Sequence, residues 1–207
     1  MTKHTWSLGV VLLACCAATV LTAIAAAGTR SLTIDPARSR VSIGVGKAGI
    51  FSFAGHTHDV EGPITGRVTV DEQHLESSTV RLEIDAVSLK VSAKGEPPDD
   101  VPKVQHTMET NVLDIARHPT IVFQSTAVSV RNRRGSAIDV TVDGRLTLHG
   151  VTRPVSVPVS ADLGADVLKA HGRLSVKQTD YGIKPVSVSG VVAVKDALTI
   201  DFAIIAR

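Results

Sequence analysis

The chain predicts an all-β fold of about eight antiparallel strands, a closed barrel or a sandwich, with a short helix near one end. Three observations carry this. Apolar and polar residues alternate at a two-residue period through eight separate segments. Turn-forming residues stand between those segments. One further segment, Val104 to Leu113, instead spaces Val104, Met108 and Val112 four apart, as on one face of a helix. Strands in this number without long helices between them suit a barrel or a sandwich, and closure removes exposed edges.

The segments run Arg38 to Val45, Ile64 to Val70, Thr79 to Val91, Thr120 to Val130, Ile138 to Leu148, Val151 to Leu163, Val167 to Lys177 and Leu198 to Ile205. In the last, Leu198, Ile200, Phe202 and Ile204 face one way and Thr199 and Asp201 the other, so one face is core and the other is wet. Turns are expected at Asp71-Glu72, Arg133 to Gly135, His149-Gly150 and Gly164. The pair His149-Gly150 is the most specific of these. A two-residue hairpin needs positive φ, which Gly accepts freely and His tolerates better than most side chains, so His149 reads as a turn residue before it reads as a ligand or a base.

Pro97-Pro98-Asp99-Asp100-Val101-Pro102 precedes the helical segment. Prolines and acids suit a helix start, where amide hydrogens lack partners and negative charge is favourable. That reason is sufficient for Asp99 and Asp100, and a divalent cation is the lesser reading. The basic run Arg131-Asn132-Arg133-Arg134 reads as a solvated hairpin tip rather than an anion site.

At the N-terminus, Lys3 precedes an apolar run from Leu8 to Ala27 that ends in Ala25-Ala26-Ala27-Gly28, a pattern that signal peptidase accepts after Ala27. Residues 1–27 are expected to be a signal peptide and residues 28–207 the mature domain, periplasmic or secreted. Two other readings share the segment: an uncleaved anchor over residues 8–27, and a lipoprotein signal at Leu12-Leu13-Ala14-Cys15. Cys15 and Cys16 are the chain's 2 cysteines, so the domain after Ala27 has no thiol for a disulfide, a Cys-based metal site or a nucleophile. A mature length of about 180 residues can bury roughly 70% of its unfolded surface without staples.

The chain has 22 Lys+Arg against 20 Asp+Glu, a formal charge of +2 that becomes +1 once Lys3 is removed, and this balance is no footprint for nucleic acid. Catalytic motifs are missing too: there is no Gly-x-Ser-x-Gly elbow, no His-Glu-x-x-His and no phosphate-cradling Gly-rich loop. The expectation is a binding protein rather than an enzyme, with no cofactor required.

Four runs resemble the YceI-like family of lipocalin-like polyisoprenoid-binding proteins: Asp35-Pro36-Ala37-Arg38-Ser39-Arg40-Val41, the stretch Asn111 to Phe123, the hairpin Gly144 to Val155, and Thr179-Asp180-Tyr181-Gly182-Ile183. They occur in order across Leu32 to Ala206. The resemblance implies an extended lipocalin-like barrel whose interior holds an isoprenoid tail, of quinone or polyprenyl type. It also implies an isoprenoid lipid or quinone as partner, with transient membrane contact and a homodimer as further expectations. Lumen candidates are Ile43, Val45, Phe51, Phe53, Ile84, Ile121, Phe123, Leu146, Leu148, Leu174, Tyr181 and Phe202. Aromatic content is only 3%, so the walls would be mainly aliphatic. Periodicity alone leaves two states equal, a lumen open to a ligand and one filled by its own side chains.

The segment Gly55-His56-Thr57-His58-Asp59-Val60-Glu61-Gly62 departs from the family, many of whose members carry an aromatic, basic stretch there. In an extended chain His56 and His58 point to one side, within reach of one head group or one metal ion. His56, His58 and Asp59 are therefore head-group or metal candidates, with Glu61 or His118 as further ligands. The alternatives to a lipid carrier are thus a metal-binding periplasmic barrel using His-x-His, or a non-catalytic structural or stress-response barrel with a filled lumen.

Overall fold

The computed structural model describes residues 28–48, 58–94, 98–188 and 192–207. The elements are β1 (Thr29–Thr33), β2 (Arg40–Ala48), β3 (His58–Pro63), β4 (Thr65–Asp71), β5 (Thr79–Asp85), β6 (Lys90–Val91), α1 (Val101–Thr107), β7 (Thr120–Arg134), β8 (Ala137–Leu148), β9 (Val151–Leu163), β10 (Leu168–Lys177), β11 (Ser187–Val188) and β12 (Val192–Ala206). The strands form one antiparallel sheet, paired in the order β1-β4-β5-β7-β8-β9-β10-β12-β2-β3-β6, with β11 on β12.

Chain connectivity turns this path into a barrel. Only Ile64 separates β3 from β4, so the two are halves of one bent strand. Pairing therefore passes from β2 to β3, along the chain into β4, and from β4 through β5, β7, β8, β9, β10 and β12 back to β2. At one end β1 seals the seam between β4 and β12. Thr33 and Arg207 exchange backbone hydrogen bonds of 2.8 and 3.0 Å, and Ile34 bridges Ala206.

The eight expected segments are thus the staves of the barrel, with adjusted ends. Arg38 lies outside β2 because Asp35 folds the chain first: its side chain accepts from Ala37 N and its carbonyl from Arg38 N. The segment Thr79 to Val91 is not one strand. It breaks at a 3₁₀ turn, Ala86–Ser88, where the Asp85 side chain accepts from Val87 N, and β6 then pairs with β3. Three strands lie outside those segments: β1, β3 and the two-residue β11. The tip expected at Arg133 to Gly135 shifts, since β7 runs to Arg134 and Gly135, at φ 63°, makes the turn. Within the run, Arg131 Nε donates to Thr141 Oγ1 and Arg133 to Glu72 O, at the exposed surface.

The helical segment begins three residues earlier than its spacing suggests, with Pro102 in the first turn of α1. It ends in a π turn, Met108–Val112, in which Leu113 N donates to Met108 O. Buried Met108 and Leu113 face the barrel core. Gln105 of α1 lies on the free edge of β6. Its Oε1 accepts from Val91 N at 2.8 Å and its Nε2 donates to Leu89 O at 3.0 Å.

The β8–β9 hairpin turns at His149 (φ 50°) and Gly150 (φ 75°), the two-residue turn expected. Two other glycines make room for rings. A Cβ on Gly144 would lie 2.5 Å from Phe123 Cζ and 2.6 Å from Gln124 O, and one on Gly172 would lie 2.6 Å from both Phe202 Cζ and Pro158 O. Each phenylalanine therefore covers a glycine on the neighbouring strand. Gly144→Ala should lower unfolding free energy by about 2 kcal/mol, within the usual cost of overpacking. Urea denaturation checks this, and an unchanged midpoint would show that the ring and strand shift freely.

Candidate functional site

Inward-facing residues of the staves enclose a cavity of about 480 Å³. Its wall is almost wholly aliphatic because every stave contributes alternate residues to it. Ile43 and Val45 come from β2, Ile84 from β5, Ile121 and Phe123 from β7, Leu146 and Leu148 from β8, Leu174 from β10 and Phe202 from β12, and all nine stand on the wall. Val68, Val142 and Val157, absent from the sequence candidates, stand there too, as does Leu198, which the sequence places on a core face without naming it a lumen residue. Alternation in β4, β8, β9 and β12 could have found them.

Of the other sequence candidates, Phe51, Phe53 and His56 lie outside the described residues, as does the side chain of His58. The backbone of His58 pairs with Val45. Asp59 pairs with Gly44 and its carbonyl accepts from Ser92 N; its neighbour Val60, which alternates with it, is the one on the cavity wall. Tyr181 is also off the wall. It is 1% exposed within a 3₁₀ turn, Gln178–Tyr181, and its hydroxyl has no hydrogen-bond partner among the described residues. Burial pushes its phenol pKa up from the ordinary value, with the Asp180 charge adding to the effect.

Among the described residues, few polar side chains reach the wall: Ser78, Lys103, Thr107 and Gln178. Ser78 Oγ accepts from Asp71 N, and Gln178 Nε2 donates to Lys195 O at 2.8 Å. Asp100 stands at the N-cap of α1 without a side-chain capping bond, and Lys103 Nζ pairs with its Oδ1 at 2.9 Å. Lys103 and Thr107 belong to α1, which together with Met108, Val112 and Leu113 covers one end of the cavity. The helix is thus the expected end cover.

The Gln178–Tyr181 turn fills a gap in the wall. β9 and β10 pair only from Leu163–Leu168 to Val159–Gly172; beyond that, β9 stays with β8 and β10 with β12. The turn is tied to both sides of the gap. Arg153 Nε on β9 donates to Asp180 O at 2.9 Å, while Thr179 N and Oγ1 donate to the carboxylate of Asp196 on β12 at 2.9 and 2.7 Å. These bonds, the backbone one foremost, hold the Asp196 pKa below the ordinary carboxylate value. A depressed carboxylate stabilises the fold fully above its unfolded pKa of about 4, and that contribution is lost as pH falls through the lower folded value. Asp196→Asn should therefore reduce the thermal midpoint at neutral pH, with the difference from wild type shrinking below about pH 4. A difference that stays constant in acid would show that the ionised carboxylate is not what anchors the turn.

With the geometry in place, comparison with known proteins assigns the chain. A family model described as the YceI-like domain matches residues 32–206. The chain belongs to the YceI-like domain family. A UPF0312 protein of Pseudomonas aeruginosa is 28% identical to it over 125 residues, covering 58% of this chain and 59% of that protein. Another UPF0312 protein, from Pseudomonas putida strain W619, is 26% identical over 145 residues and 67% of each chain. Among solved structures, Burkholderia cenocepacia BcnA is 20% identical with a TM-score of 0.61, covering 84% of this chain and 99% of its own. A polyisoprenoid binding domain from Saccharophagus degradans, implicated in plant cell wall breakdown, is 13% identical with a TM-score of 0.62, covering 85% and 97%. These two share the YceI-like fold with this chain.

Proposed function

We propose that this YceI-like chain binds an isoprenoid lipid, of quinone or polyprenyl type, with the tail inside the barrel. The observation that carries the reading is the cavity of about 480 Å³ with its aliphatic wall. That volume lies within the range of small-molecule sites. A barrel of this size either fills its interior or holds one small ligand, and the open volume favours the second. Branched aliphatic walls match a branched hydrocarbon, and each methylene removed from water contributes ~0.8 kcal/mol. A long tail then binds without a charged anchor. The Saccharophagus degradans domain of like fold, described as polyisoprenoid binding, supports the same class of ligand.

The polar groups of Ser78 and Gln178 are held by the protein itself, which fits carriage of a ligand rather than its chemical conversion. No cofactor is needed for such a role. Export follows from the signal reading of residues 1–27 and places the domain, from Gly28, in the periplasm or outside the cell. N-terminal sequencing of exported protein should begin at Gly28. A lipid-bearing Cys15 or a retained Met1 would overturn that location.

Organic-solvent extraction of purified protein, read by mass spectrometry, should yield a prenyl lipid in about equimolar amount, the occupancy of a single site. Leu146→Trp tests the tail site itself. Leu146 is buried on the wall, and an indole there takes tail volume while staying apolar. Lipid occupancy should fall strongly, while stability falls by no more than ~1–3 kcal/mol. If unsubstituted protein yields no lipid and binds no prenyl compound added in vitro, the carrier reading fails.

A further inference from the structure

Among the described residues, two non-glycine residues have left-handed backbone, Asp114 at φ 47° and His149 at φ 50°. They come from different parts of the chain and meet. Asp114 follows the π turn, and its carbonyl accepts from both Arg117 N and His118 N at 2.9 Å, a tight turn that brings His118 back over its own start. His149 opens the β8–β9 hairpin. The rings of His118 and His149 lie 4.7 Å apart with planes at 61°. One carboxylate oxygen of Asp114 and one nitrogen of each ring fall within 4.8 Å of one another.

Two further details favour a ligand. His149 Nδ1 lies 3.2 Å from Tyr181 O. A carbonyl only accepts, so Nδ1 carries the proton and the lone pair resides on Nε2. A backbone carbonyl orienting a histidine in this way is the usual support of a metal-bound imidazole. Gly150 supplies the space: a Cβ there would lie 2.7 Å from His118 Cε1, so only glycine lets that ring rest on the hairpin.

We propose that Asp114, His118 and His149 form a binding site for one divalent transition-metal ion, with zinc as its best-fitting occupant. Two imidazoles and a carboxylate suit zinc and disfavour the all-oxygen ions calcium and magnesium. Zinc–ligand bonds of about 2.0–2.1 Å place ligand atoms about 3.3 Å apart, so the side chains close by rotation on binding. Arg117, exposed and paired with one Asp114 oxygen, competes with the metal for that carboxylate and leaves the other oxygen for the ion. None of the three ligands stands on the cavity wall, so the site is independent of the lipid. Its neighbours Leu113 and Leu148 do line the cavity, and a bound ion would therefore fasten the segment after α1 to the hairpin at that end.

The test is zinc titration of metal-stripped full-length protein by calorimetry, with cobalt absorption as a spectroscopic check. One zinc should bind and raise the thermal midpoint. His149→Asn keeps the turn, because Asn-Gly is the favoured pair for this hairpin, and should weaken zinc binding by more than about tenfold while the fold persists. His118→Ala should do the same, and the double variant His56→Ala with His58→Ala should leave binding unchanged. Circular dichroism confirms that each variant is folded. The proposal is overturned if wild type takes up no zinc, or if folded His149→Asn binds it as tightly as wild type, whether through His56 and His58 or elsewhere.

Discussion

The register of the β8–β9 hairpin governs what the barrel can hold. His149 and Gly150 turn the chain in two residues, so Leu148 faces Val151 and the pairing runs unbroken to Ala137 and Asp162. Side chains alternate at a period of two, so a slip of β9 by one residue against β8 would send Val157 and Val159 to solvent and bring Ser156 and Pro158 inside. The neighbouring strands inherit this choice. β7 is paired to β8 and β10 to β9, so the inward face of the hairpin decides which residues of each stave line the cavity. The aliphatic interior follows from one turn with the right backbone conformation.

Much of this was legible in the chain. Alternation in β12 is nearly uninterrupted, and Leu198, Ile200, Phe202 and Ile204 all stand on the cavity wall. Weakly patterned strands were not legible. β1 has one apolar residue, Leu32, and β3 has Val60 among His58, Asp59, Glu61, Gly62 and Pro63, so neither shows a period by itself. Both exist because long neighbours offer unpaired backbone. The break after Asp85 is masked because Ala86, in the turn, and Leu89, just after it, are both buried, so hydrophobicity continues where the two-residue period does not.

The candidate sites differ in the same respect. Nine wall residues could be named from the sequence because a lumen is a face of a repeating pattern. Whether that lumen is filled or open depends on barrel radius, which no local pattern encodes. Asp114, His118 and His149 are joined by the path of the chain after the π turn and by the hairpin, and the left-handed backbone of Asp114 has no signature in Leu113-Asp114-Ile115. The positive φ of His149, by contrast, followed directly from the glycine after it.

The amide of Gln105 carries a consequence for the protein outside the barrel. β6 ends the sheet path, paired with β3 on one side alone, and its outer side would offer backbone groups to any extended chain nearby. The Gln105 side chain occupies both of them, accepting from Val91 N and donating to Leu89 O as a neighbouring peptide would. One glutamine from a helix thus stands in for a missing strand, and at that position the molecule presents no template on which a second copy could polymerise.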